Sequence, residues 1–405
     1  MIRILAVACC LACTAQAVES LPIQDVWAGH PVGFALLTAP PHQFVGFYDA
    51  ERRLTLGQRH LDSETWTFQH LDERVGWDSH NSIVMTRDED GHLHLTANMH
   101  VDPLVYFRTT TPDDVTTFRR VTEMVGRDEQ RCTYPEFFRG PGGRLIFTYR
   151  SGSSGDGVQI YNVYDRETQT WSRLLDTPLV DGEGLRNAYL YGPRLGPDGW
   201  YHLVWVWRDT PDCATNHSLS YARSRDLVQW ERSDGTPLTL PITFDTAEVV
   251  DPVPPGGGLI NGNAKFGFDH DGRIIIAYHK YDAQGATQFY NARHEADGWR
   301  IYQTSDWSYR WAFSGGGSIP FEVRVQPARP ADGGRLMQAY SNAVEGSGRW
   351  ILDAATLKPV ESLPPAPRPL PDNVYAVRSD FPGMTVRIAG DSGSAPGARY
   401  YLRWE

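Results

Sequence analysis

The stretch Trp77 to His100, WDSHNSIVMTRDEDGHLHLTANMH, carries one copy of a phrase that the rest of the chain repeats. Ser82 to Thr86 reads as a strand, Arg87 to Gly91 as a tight acidic turn, and His92 to Met99 as the returning strand. A hairpin brings its last residues back beside its first, so His80 and His100 are expected to meet at one edge. The turn recurs at Gly142-Gly143, Asp198-Gly199, Asp271-Gly272 and Gly333-Gly334, and an apolar strand follows each: RLIFTYR, WYHLVWVWR, RIIIAYHK and RLMQAYS. Outer hairpins such as IYNVYDRETQTW, LSYARSRDLVQW and FYNARHEADGW come next, and FVGFYDAERRLTLGQRHLDSETWTF fits the later part of the same unit.

Four short strands per unit at this spacing are the pattern of a β-propeller blade. The expected fold is therefore all-β, a single β-propeller of about seven blades. Six units are legible, and a degenerate one is left for the two termini to complete together. A β-sandwich or a pair of β domains fits less well, because no linker of distinct composition interrupts the repeats. The piece Ser224-Arg225-Asp226 to Trp230 resembles the Asp-box turn of sialidase-like propellers. The strand after each turn is expected to be innermost. On that reading Asn98, His100, Arg150, Arg208 and His279, at matching distances past the turn glycines, form a polar ring at one mouth.

The first residues, MIRILAVACCLACTAQA, read as a secretory signal peptide: Arg3 is the basic start, Ile4 to Ala12 the apolar stretch and Ala15-Gln16-Ala17 the cleavage site. The expected organisation is a leader over 1–17 and a propeller over 18–405, in a secreted or periplasmic protein. Cys9, Cys10 and Cys13 fall in the leader, leaving Cys132 and Cys213, too few for a disulfide framework. No later apolar run is long enough to span a bilayer. A net charge of −11 argues against nucleic acid or an anionic membrane as a partner, while a local Arg and His cluster can still hold an anionic substrate. The composition fits a compact, turn-rich β protein, expected to be a monomer.

Tyr134, in CTYPEF (Cys132 to Phe137), begins the next unit just as His80 begins the one before it, and Arg150 ends that unit's apolar strand. Hydrolysis of a glycoside usually needs two carboxylates. No matched pair is evident, although Glu136 and Asp156 remain candidates. Elimination at a uronic acid fits His, His, Tyr and Arg better. A guanidinium neutralises the carboxylate, a Tyr or His removes the weakly acidic proton beside it, and another side chain protonates the departing oxygen. For Tyr134 to be the base, Arg150 and the histidines must lower its pKa. A non-catalytic carbohydrate-binding propeller would repeat its binding residues in several blades, whereas these four occur once.

His80-Asn81, the DGHLH block (Asp90 to His94), His100, TYPEF (Thr133 to Phe137), YRSGSSGDG (Tyr149 to Gly157) and Trp207-Arg208 resemble blocks of the BNR-repeat propeller proteins that include the ulvan lyases, polysaccharide lyase families 24 and 25. The resemblance runs from about Gly33 to the last unit. It implies a seven-bladed propeller that cleaves ulvan, a sulfated rhamnose–uronate polysaccharide, by β-elimination and without an organic cofactor. It makes Tyr134 base and acid, or shares that work with His80 and His100. Arg150 would neutralise the uronate, and Asn81, Tyr191 (in AYLYG) and Arg208 would contact the substrate. Related propellers include hydrolases of rhamnose–glucuronate linkages.

A second cluster lies in RDTPDCATNH, where Cys213 and His217 are four residues apart. With His279 from the next apolar strand they suit a soft metal, zinc ahead of calcium, and the resemblance implies a structural metal as well. A buried thiol and a backbone-bonded histidine are the competing reading.

Overall fold

The computed structural model describes residues 18–405, so the leader over 1–17 lies outside the described residues. Six antiparallel sheets of at least four strands succeed one another along this part of the chain, and a two-stranded hairpin follows. The first sheet, for example, runs Ala35–Ala39, His42–Tyr48, Arg53–His60 and Thr67–Arg74, each strand bonded to the next. Among the described residues the longest α-helix is a single turn, Asp372–Tyr375.

Several sheets are built around a strongly buried central strand. Tyr201–Arg208 (YHLVWVWR) is buried at all eight positions and includes the fully buried Trp205 and Trp207. Side chains of a strand alternate between faces, so such a strand must be covered on both, and the neighbouring sheets supply the cover. The burial is continuous around the ring: Trp205 and Trp207 pack with Ile146 and Tyr161 of the sheet before, while Val204 and Val206 pack with Ile276 and Tyr278 of the sheet after.

The apolar strands are second in each sheet rather than innermost, which corrects the sequence reading. Tyr201–Arg208 pairs with Asn187–Leu195 on one side and Asn216–Ser224 on the other. The edge facing the axis belongs to the first strands, and Ala35–Ala39, Val84–Arg87 and Cys132–Arg139 touch from sheet to sheet. The strand most sheltered from solvent is the one flanked on both edges and covered on both faces, which is why it is the most apolar. Residues past the turn glycines therefore reach the rim from one strand further out.

The C-terminal hairpin, Arg387–Gly390 with Tyr401–Trp404, packs against the first strand of the first sheet. Ser392 N–H donates to Leu36 O (2.9 Å), Ser394 N–H to Thr38 O (3.0 Å), and Trp404 stacks on Phe34 at 4.7 Å. The C-terminal segment thus meets the first sheet, although the two remain separate sheets rather than one composite unit. The Asp-box-like turn also forms: the Asp226 carboxylate accepts from Val228 and Gln229 N–H, both at 2.8 Å, and Trp230 is buried behind it.

Candidate active site

Three strands fix the site. Thr133, near the start of Cys132–Arg139, is in register with His100 of the short strand His100–Asp102 on one side and with Arg150 of Leu145–Ser153 on the other. The pairing shifts by a bulge between Thr133 and Glu136. At that bulge Tyr134 takes a left-handed backbone (φ 53°) and turns its ring outward, 42 % exposed. A tyrosine at positive φ is held there by the ladders on either side, a strain typical of a positioned functional group.

The predicted meeting of His80 and His100 occurs: their rings stack at 4.2 Å. What holds them is Asp78, which the sequence reading missed. Its Oδ1 takes His80 Nδ1 and its Oδ2 takes His100 Nδ1, both at 2.6 Å, while Oδ1 also accepts His80 N–H at 2.8 Å. Burial alone would raise the Asp78 carboxyl, but the bonds from His80 and His100 outweigh it and hold the pKa at about 2. A permanent carboxylate at both Nδ1 atoms fixes each neutral imidazole as its Nδ1–H tautomer, leaving Nε2 with a free lone pair. The Asp-x-His spacing, with the side chain bonded two residues on, is an Asx-turn signal legible in the sequence.

Tyr134 lies 5.9 Å from the His80 ring and 5.7 Å from that of His100. On its other side the Arg150 guanidinium sits 4.9 Å from the Tyr134 ring centre and 5.5 Å from that of Tyr189. Arg150 is buried, its Nε donates to Gly152 O at 3.3 Å, and its Nη1 and Nη2 have no hydrogen-bond partner. Asn187 Nδ2 is likewise buried and unpartnered. A Cβ on Gly157 would fall 2.7 Å from Asn187 Oδ1 and 2.8 Å from Arg150 Cδ, so that glycine lets the two side chains share one pocket. Unpaired donors in a buried site are costly to leave empty and favour an anion.

Tyr134 does not carry the lowered pKa that the sequence reading required of a base. Burial raises it, Tyr189 adds to that, and the opposing pull of Arg150 and Arg208 is too small to reverse the sign. The phenol therefore keeps its proton at neutral pH and is suited to donate it.

Three expected substrate residues stand elsewhere. Asn81 is buried beneath the His80 loop, its carbonyl accepting from Tyr48 OH at 2.8 Å. Tyr191 packs on Phe266 and accepts from Arg194 Nη1 at 2.9 Å, while Tyr189, two residues earlier on the same face, approaches Tyr134 at 6.5 Å. Arg208 is buried and spends its guanidinium on Thr210 O (3.0 Å), Pro211 O, Tyr189 OH (3.4 Å) and Asn261 Oδ1 (3.4 Å). It positions Tyr189, whose hydroxyl also meets Ser154 Oγ at 2.6 Å. Of the two candidate acids, Glu136 feels Arg194 most among nearby charges and Asp156 pairs with Arg131 at 3.2 Å; neither joins the histidines. A loop from the far side reaches the same rim, where Ser318 Oγ meets Ser79 Oγ at 3.1 Å and Gly315 N–H donates to Asp212 Oδ1 at 2.7 Å.

The expected metal ligands are not brought together. Among the described residues the one group of at least three ligand atoms close enough to share an ion is Asp78, His80 and His100. His217 is committed to Asp209 Oδ1 and Ser218 Oγ, both at 3.0 Å, and Cys213 is a buried free thiol in the apolar cluster around Trp311. The donor set Cys213, His217 and His279 therefore does not fit a structural zinc: His217 is bonded to Asp209 and Ser218, and the three offer no group of ligand atoms close enough to share an ion. His279 lies against Trp311 at 5.3 Å, neither ring nitrogen has a partner, and burial pushes its pKa down to about 3.

That histidine has a pH consequence. Below about pH 6.5 the unfolded chain binds a proton that the native state refuses until about pH 3, so stability rises with pH across this window and falls on acidification. His279→Leu is expected to lose less stability than the parent between about pH 7 and pH 5, by roughly 2 kcal/mol. Denaturant titrations at the two pH values measure it, and an unchanged difference contradicts the assignment.

Antiparallel sheets ringed around an axis, with paired imidazoles, a tyrosine and an arginine gathered on one rim, define a β-propeller with a candidate site on that rim. Residues 42–307, well over half of the chain, match the profile of the BNR repeat-containing family, and the chain belongs to that family. Over 132 residues, 30 % of this chain, it is 29 % identical to an ulvan lyase, long isoform, of Pseudoalteromonas sp. (strain PLSV). The chain spans only 8 % to 13 % of the length of the curated relatives it matches. Two solved structures share the fold, each with a TM-score of 0.57. The polysaccharide lyase Uly1 is 17 % identical, with 85 % of this chain and 86 % of that one covered. A PL25 ulvan lyase bound to -[GlcA(1-4)Rha3S]- is 13 % identical, with 84 % of each chain covered.

Proposed function

We propose that the protein is a polysaccharide lyase that cleaves ulvan at its uronate by β-elimination. The observation that carries the reading is the Asp78 fork: two imidazoles with free Nε2 atoms, facing a protonated Tyr134 that lies over an unpartnered guanidinium. The relatives named ulvan lyase, and the ulvan oligosaccharide bound to a protein of the same fold, support the substrate class.

In this reading the uronate carboxylate takes the Nη groups of Arg150 and the Asn187 amide, which turns the exposed Tyr134 ring aside from the guanidinium. Neutralising the carboxylate acidifies the neighbouring C5 proton. Nε2 of His80 or His100 removes that proton, the electron pair forms the C4–C5 double bond, and the C4–O bond breaks. Tyr134 gives its proton to the departing oxygen, and the imidazolium then returns one to the phenolate. The histidines are the base and the tyrosine the acid, because burial keeps the phenol protonated. The steps need no organic cofactor. An exported location rests on the Met1–Ala17 sequence.

The test is ultraviolet absorbance during incubation of the protein with ulvan, followed alongside reducing ends. A rise in both is expected. Reducing ends without the conjugated double bond would mean hydrolysis and would overturn the reading.

A further inference from the structure

Trp77 is 71 % exposed, although it immediately precedes Asp78. Scattered apolar residues on a surface are ordinary, but this indole belongs to a built wall. It meets Trp27 edge-on at 5.7 Å and the His30 ring at 5.2 Å. Trp27 Nε1–H donates to His30 Nδ1 at 3.0 Å, so the ring carries its proton on Nε2 and donates it to Asp78 O at 3.1 Å. A Cβ on Gly29 would fall 2.2 Å from the Trp27 ring, so a glycine is required for the indole to seat there. The Arg52 guanidinium stands 5.6 Å from the Trp27 ring centre and donates to Val75 O, anchoring the wall to the strand beside it. Two indoles and an imidazole are thus locked to the backbone of the residue that aims both candidate bases.

We infer that the free face of Trp77 is a sugar-stacking subsite for a residue of the polysaccharide flanking the one that is cleaved. The inference rests on the function proposed above and adds to it a place where the polymer is held away from the chemistry. A pyranose presents an apolar face of C–H groups to a flat, electron-rich ring, and a rigid tryptophan offers that surface with little conformational entropy to lose. The occupant follows from continuity: a chain threaded through His80, His100 and Tyr134 must leave the site along its rim, and Trp77 is one residue from Asp78 on that rim.

The experiment compares the parent, Trp77→Phe and Trp77→Ala on polymeric ulvan. Contacts made equally in ground and transition states change KM and leave kcat alone. Trp77→Ala is expected to raise KM about tenfold with kcat within about twofold, and Trp77→Phe to recover most of the loss. An unchanged KM overturns the subsite. A fall in kcat together with a lower Tm overturns it too, because Trp77 would then be a support for Asp78. Gel retardation by ulvan, read on the same proteins, keeps the two ideas apart. If the parent makes no unsaturated product, the lyase reading fails, while weaker retardation of Trp77→Ala alone would still establish the platform.

Discussion

Tyr134→Phe is expected to lower kcat on ulvan by roughly three orders of magnitude while KM and Tm stay close to those of the parent. The ring is half exposed, lies over Arg150 and faces both histidines, so phenylalanine keeps its packing and cation–π contact and removes only the hydroxyl. If the phenol donates to the departing oxygen, that oxygen must leave unprotonated in the variant, and positioned proton transfer is worth about 10²- to 10⁴-fold. A variant within about tenfold of the parent would take the acid role from Tyr134. Because burial raises the phenol's pKa, the tyrosine is not expected to set the acid limb of the kcat/KM profile.

Arg150→Ala is expected to cost as much or more. The charge that offsets the carboxylate disappears, and a carboxylate meeting Asn187 alone would sit beside buried groups without the Arg150 cation. Losses of about 10²- to 10³-fold are usual when one preorganised donor is removed, and this side chain supplies both charge and two donors. Arg150→Lys separates the two contributions, since it keeps a point charge without the planar fork. Partial recovery in Lys relative to Ala is expected in steady-state kinetics, with both variants folded by circular dichroism. Near-parent rates in Ala would remove Arg150 from the chemistry.

The fold was legible because its signal is repeated. Asp-Gly turns followed by apolar strands state the sheet several times over, and the approach of His80 to His100 follows from one hairpin. Strand order within the sheet was not, since an apolar run says that a strand is covered and does not say which neighbour lies on each edge. Tyr189 and Tyr191 share a face, and that Tyr189 is the one held near Tyr134 depends on Ser154 and Arg208, distant in sequence or committed to a loop. The metal reading failed for a related reason. Cys213 and His217 are close in sequence, yet a 3-10 turn at Cys213–Thr215 sends one into the Trp311 cluster and the other to Asp209. The sign of the Tyr134 shift depends on burial, which no motif contains.

The hydrogen bonds from Ser392 and Ser394 to the first sheet join two segments more than 350 residues apart, and they act as a latch between them. Local opening of a protein starts where few buried groups must be exposed. The latch is such a place: its hairpin has two strands, and it lies on the first sheet through Leu402, Trp404 and the loop Asp391 to Ser394 alone among its buried or bonded groups. Amide exchange should therefore begin at Ser392 and Ser394 and reach Val204 to Trp207 only on global unfolding. Opening the latch would uncover Phe34, one residue from Gly33, whose bonds to Ser82 and Ile83 help hold the loop that carries the Asp78 fork.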